Sequence, residues 1–119
     1  MNVSLSDFQK LEIRIGTVKK AEVPKWSHWV MKLTVDLGAE IGERIIFAGL
    51  MKHYDPKTIK GKQFPFIVNL EPKKIGPKGD SSQGMMMAAS VMLDSENPEE
   101  QKPVLFKLSE KVLNGTRVR

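Results

Sequence analysis

The chain has 119 residues, of which 40% are hydrophobic and 28% charged, with a formal net charge of +5 and no cysteine. That composition suits one globular domain with a single modest core. It excludes disulfides, thiolate zinc sites and cysteine nucleophiles. The opening MNVSLSDFQKLEIRIG carries no apolar signal core, and no apolar run approaches the roughly 18 residues of a membrane span, so a cytoplasmic location without a membrane partner is expected.

The charge is unevenly spread. Residues 94–101, DSENPEEQ, hold four acids and no base, so the remainder of the chain carries +9 against the total of +5. A basic body beside an acidic loop suits a polyanionic partner, because phosphate contacts supply much of the affinity for nucleic acid. A merely solubilising surface is the plainer alternative.

Short β-branched runs separated by turn signals follow one another along the chain. LEIRIGTV, residues 11–18, alternates, with Leu11, Ile13 and Ile15 on one side and Glu12 and Arg14 on the other. MKLTVDL, residues 31–37, places Leu33, Val35 and Leu37 inward and Lys32, Thr34 and Asp36 outward. RIIFA (44–48) is a nearly continuous apolar strand. FPFIVNL (64–70) is another, in which Pro65 points to an edge or a strand start. MMMAASV (85–91) is a fifth. Between the third and fourth runs, Asp55 is a candidate cap and Pro56 fits the first position of a short helix.

Five strands with a short helix after the third give an all-β chain in the element order of the OB-fold, a five-stranded, partly open Greek-key barrel. SH3-like barrels share the strand count. The barrel is expected over 7–92, with a C-terminal extension over 93–119. The apolar residues Val104, Leu105, Phe106, Val112 and Leu113 of that extension must pack on the barrel or across a dimer interface.

No catalytic apparatus is visible. His28 and His53 are 25 residues apart, and neither has a carboxylate at ligand spacing. Residues 76–84, GPKGDSSQG, lack the spacing of a phosphate-binding P-loop and lead into a strand rather than a helix. No catalytic residue, metal site or cofactor is therefore assigned.

The segment 69–85, NLEPKKIGPKGDSSQGM, is the chemically distinctive one. It brings together Lys73, Lys74 and Lys78, the hydroxyls of Ser81 and Ser82, and the Gln83 amide. Glycines at 76, 79 and 84 would let backbone approach a ligand closely. Such a loop at a barrel mouth suits a ribose-phosphate backbone. The alternative is a solvated hairpin loop. Trp26 and Trp29 lie between the first two strands, where an OB-fold often meets nucleic acid, and are candidates for base stacking. Trp29 precedes Val30-Met31 and could equally anchor the core. Phe47, Phe64 and Phe66 read as barrel core, and at least one of Met85, Met86 and Met87 as core filler.

Taken in order, DFQKLEIRIGTVKKAE, KLTVDLG, RIIFAGLMKHYDPKTIKGK, NLEPKKIG and SSQGMMMAAS resemble the tRNA-binding domain. That domain is shared by the methionyl-tRNA synthetase beta subunit or C-terminal appendage, a free-standing structure-specific tRNA-binding protein and a eukaryotic synthetase cofactor and cytokine. The resemblance implies an OB-fold, tRNA binding without chemistry, homodimerisation through the segments flanking the barrel, and an aminoacyl-tRNA synthetase as a further partner. The family's NLxPxKMxG…SxGM motif falls on Asn69, Leu70, Pro72, Lys74, Ile75, Ser82, Gly84 and Met85, with its preceding basic residue at Lys73. Asn69, Lys73, Lys74, Lys78, Ser82, Gln83 and Met85 are thus the expected tRNA contacts. The sequence departs from the family at Trp29, which stands where the ADKL motif has its lysine, and at Ala48, which replaces a serine. Lys25 or Lys32 would supply the missing cation. A relative of the same fold resembles a secretion chaperone, which makes a dimeric protein-binding module the rival expectation.

Overall fold

A computed structural model describes residues 1–97 and 100–119; Pro98 and Glu99 of the acidic run lie outside the described residues. A single helical turn, α1 (Leu5–Phe8), opens the chain, with the Ser4 hydroxyl accepting from the Asp7 N–H. The alternating run after it becomes β1 (Ile13–Glu22), longer than the apolar pattern alone indicates. It pairs antiparallel with β2 (Met31–Asp36), and the register shifts between Val18 and Lys20. A bulge of this kind bends and twists a strand, which a small barrel requires.

The turn α2 (Gly38–Ile41) leads into β3 (Glu43–Ala48), which pairs with β2 along its whole length. The short helix α3 (Pro56–Ile59) forms where expected: Asp55 caps it by accepting from the Lys57 N–H at 2.9 Å, with Pro56 in the first turn. β4 (Gln63–Ile67) then pairs with the start of β1. Inside these strands Val18, Leu33, Val35, Leu37, Ile46, Phe64 and Phe66 form the core with Ile59 of α3 and Met86.

The structure is all-β with a nearly closed barrel of five antiparallel strands, consistent with the OB-like expectation, and it differs in three details. First, Pro65 lies in an interior strand, opposite Ile15. The missing N–H costs the ladder nothing there, because the Ile15 N–H and carbonyl are used on its other side, by the Thr116 carbonyl and the Gly115 N–H. Second, the fifth apolar run breaks into β7 (Met85–Met86) and β8 (Ala88–Met92). The Met87 N–H donates to the Pro65 carbonyl, and Pro65 has no N–H to return the bond, so pairing with β4 stops and β8 peels away. Third, the segment between β4 and β7 contains its own hairpin, β5 (Lys73–Ile75) and β6 (Asp80–Ser82).

The extension 93–119 folds back on the barrel. β9 (Gln101–Leu105) pairs with β8, and β10 (Arg117–Val118) pairs with the start of β1. Gln63 holds the intervening segment: its Nε2 donates to the Val112 carbonyl and to Asn114 Oδ1, and its Oε1 accepts from the Val112 N–H. Leu105 reaches the core, while Val104, Phe106 and Leu113 remain exposed.

Candidate nucleic-acid interface

Lys73 and Lys74 leave the barrel on β5, opposite Ser82 and Ser81 of β6, and Lys78 sits in the turn between the strands. All three are exposed. Among the described residues none of them, nor Lys32, takes part in an ion pair. Their charges are therefore free to meet an outside anion. Lys20 and Lys25 are exposed near the end of β1 and in the following loop.

The hairpin rests on aromatic rings. Gly76, with φ of +80°, brings the turn so close to Trp26 that a Cβ at this position would stand 2.5 Å from the ring. Trp26 in turn packs against Phe47, with ring centroids 6.1 Å apart and planes tilted by 42°. Phe47 corrects an expectation. It is buried, but Ile46 takes the inward place on β3, so Phe47 lies on the outer face under Trp26, across from Lys32 of β2. Phe64 and Phe66 occupy the core as expected. The half-buried Trp26 is thus a seat for the hairpin, whereas Trp29 projects with 56% of its surface exposed.

The polar residues of the same segment face the protein. Asn69 Oδ1 accepts from the Glu12 N–H at 2.8 Å, and its Nδ2 donates to the Lys10 carbonyl at 2.7 Å. Ser82 is buried; its hydroxyl accepts from the Phe47 N–H at 3.0 Å and donates to the Gly84 carbonyl at 2.9 Å. Gln83 Oε1 accepts from the Ile45 N–H at 3.0 Å, and its own N–H donates to the Ile45 carbonyl. Ser82 and Gln83 therefore close the seam between β3 and β7 with side-chain bonds where a regular ladder is missing. Gly84 fits the same seam, since a Cβ there would lie 2.8 Å from the Ile67 carbonyl oxygen. Met85 is exposed beside this seam, opposite Ile67.

Sequence reasoning did not single out Arg44. Its guanidinium donates to the carbonyls of Val68 and Gln83, tying β3 to both ends of the basic segment. No local pattern marks it, because its partners are 24 and 39 residues away. Arg14 donates to Glu12 at 2.9 Å and to the Gly115 carbonyl at 3.0 Å. The hydrogen bond from Arg14 holds the Glu12 carboxyl below its ordinary value, and that bond raises Arg14 in return. Among the described residues no group of three or more His, Cys, Asp or Glu could hold a metal, and no helix is long and apolar enough to cross a membrane.

The chain is similar to known proteins in sequence and in fold. Residues 13–117 match the family described as Putative tRNA binding domain. The chain belongs to this family. It is 40% identical over 116 residues to the methionine–tRNA ligase of Archaeoglobus fulgidus, a match covering 98% of this chain but 16% of that protein. It is 43% identical over 89 residues to the ligase of Porphyromonas gingivalis, covering 74% of this chain and 12% of the relative. The chain thus spans a small fraction of the curated relatives it matches. Two solved structures match over essentially their whole length. The MetRS-related protein of Pyrococcus horikoshii has a TM-score of 0.84 at 36% identity, covering 100% of this chain and 99% of that one. The chaperone CsaA of Bacillus anthracis has a TM-score of 0.82 at 28% identity, covering 100% of both. Membership of this family identifies residues 13–117 as a tRNA-binding domain.

Proposed function

We propose that the chain grips tRNA with the β5–β6 hairpin, acting as a free-standing tRNA-binding protein or as an accessory subunit of an aminoacyl-tRNA synthetase in the cytoplasm. The observation that carries this reading is the trio of Lys73, Lys74 and Lys78, unpaired among the described residues and mounted on a hairpin seated against Trp26. A backbone seated in this way need not be ordered before its lysines meet phosphates, and phosphate contacts set register rather than sequence choice. Lys32 extends the basic surface across β2. In this reading Asn69, Ser82 and Gln83 act on RNA through the hairpin they hold in place, and Met85 borders it. Filter binding of bulk tRNA at two salt concentrations tests the proposal: affinity should fall steeply with salt. Salt-insensitive binding, or none at low salt, would overturn it.

The same reading includes a homodimer. Val91, Met92, Leu93, Val104 and Phe106 are exposed on or beside the β8–β9 hairpin. Apolar residues gathered in this way commonly mark an interface, and a two-fold dimer is the commonest symmetric way to cover one. A second reading, a dimeric protein-binding module, draws on the likeness to the chaperone CsaA over the full chain. It requires binding of unfolded polypeptide that is insensitive to salt and unaffected by loss of the hairpin lysines.

A further inference from the structure

Among the described residues Trp29 is the most exposed of the exposed aromatic rings, at 56% against 44% for Phe106 and 39% for Phe8, and its backbone is fixed from both ends. The buried Ser27 hydroxyl accepts from the N–H groups of Trp29 at 3.2 Å and Val30 at 2.8 Å, and donates to the Val30 carbonyl at 3.0 Å. The Trp29 carbonyl accepts from the Met51 N–H. The next two residues, Val30 and Met31, are 1% and 0% exposed and anchor the turn in the core, so Trp29 itself is not the anchor. One side of its indole lies over the backbone of Gly49, where an added Cβ would make ordinary contact with the ring at 3.5 Å. With 56% of its surface exposed, the residue leaves much of the ring to solvent.

A ring carried on a fixed backbone and backed on one side by the protein has less freedom to lose on binding than one on a mobile loop. Its open face is flat and apolar, the shape that an unstacked nucleobase covers. Trp26 is unsuited to this task, because Gly76 and Phe47 cover its ring. Lys25 is exposed in the same loop.

We propose that Trp29 is a stacking platform for one unpaired nucleobase of the bound RNA. The chain would then recognise RNA presenting a splayed or single-stranded nucleotide rather than a continuous duplex. The proposal rests on the RNA-binding reading above and adds to it a contact that carries no charge. Stacking contributes at every salt concentration, while lysine–phosphate contacts fade as salt rises.

The test uses the full chain, bulk tRNA and the variants Trp29→Ala, Trp29→Leu and Trp29→Phe, with far-UV circular dichroism to confirm folding. Trp29→Ala and Trp29→Leu should each weaken tRNA binding about 5- to 150-fold, while Trp29→Phe retains part of the affinity. The dependence of affinity on salt should keep its slope in all three. Tryptophan emission of the unaltered protein should be quenched by tRNA, and by a single-stranded RNA oligonucleotide more than by a blunt RNA duplex. The quenching should be lost in Trp29→Phe. If the unaltered protein binds tRNA while Trp29→Ala binds equally well, the platform is overturned and the hairpin reading stands. If Trp29→Leu binds as the unaltered protein does and only Trp29→Ala is weaker, the contact is generic apolar packing and stacking is overturned. If the unaltered protein does not bind tRNA at low salt, the RNA reading itself fails.

Discussion

The Trp26 ring and Gly76 approach each other so closely that no side chain fits between them. A Cβ at position 76 would stand 2.5 Å from Cζ2 of the indole, and φ there is +80°. The tip of the lysine-bearing hairpin is thereby set against the barrel by a contact that only glycine permits.

Replacing Gly76 with Ala should therefore displace the hairpin. Gly79 in the same turn is a built-in control, with φ of +77° but nothing within 4 Å of an added Cβ. Both alanine variants incur about 1–2 kcal/mol of backbone strain. Only Gly76→Ala adds the clash with Trp26, so it should lose more stability in urea titration and more tRNA affinity in filter binding than Gly79→Ala. Equal losses of affinity would show that the seat on Trp26 does not position the lysines.

The double variant Lys73→Ala/Lys74→Ala should weaken binding to all tRNAs about equally. Each lost phosphate contact removes about 0.7 to 0.9 from the slope of log affinity against log salt, so two should remove about 1.4 to 1.8. Both side chains are exposed, so stability should stay within about 0.5 kcal/mol. An unchanged slope would move the phosphate grip elsewhere, with Lys57 and Lys60 of the α3 region as the next candidates.

Ser82→Ala should act on the fold. It leaves the buried Phe47 N–H without its acceptor and the Gly84 carbonyl without its donor, at a cost of about 1–3 kcal/mol. Denaturant unfolding measures this directly. Where the variant is fully folded, its salt slope for tRNA should match that of the unaltered protein, since no cation is lost.

The ion pair between Glu12 and Arg14 predicts a pH dependence of stability. The hydrogen bond from Arg14 lowers the Glu12 carboxyl below its ordinary value of 4.5. A carboxyl lowered in the folded state contributes stability above its unfolded value and loses it as pH falls through the folded value. Thermal melts should show Glu12→Gln less stable than the unaltered protein at pH 7. The gap should close as pH drops below 4.5. A gap that did not narrow at all as pH fell below 4.5 would assign the loss to packing instead.

Light scattering at micromolar concentration should give twice the 13.4 kDa monomer mass. A charge placed in the exposed apolar hairpin, as in Val104→Asp, should shift the mass toward the monomer while the circular dichroism of the barrel persists. A monomer mass for the unaltered chain would remove the homodimer from the proposed function.

Local pattern marked most of the barrel's strands and its helix. Period-two alternation in residues 31–37 put Leu33, Val35 and Leu37 inside, and the Asp55-Pro56 pair marked α3, because both signals act between neighbours in the chain. The lysine-rich segment was equally legible as a candidate contact surface, since three cations within six residues need no tertiary information. What each residue of that segment does was decided only in three dimensions. Asn69, Ser82 and Gln83 share the lysines' stretch of sequence, yet their polar atoms bond to Glu12, Phe47 and Ile45, residues 57, 35 and 38 positions away. The two tryptophans are likewise three residues apart and equivalent in composition. One is covered by Gly76 and the other left open, because the hairpin returning from across the barrel lands on Trp26 and not on Trp29. Contacts between segments so distant in the chain are made by the closure of the barrel, and a linear reading has no term for them.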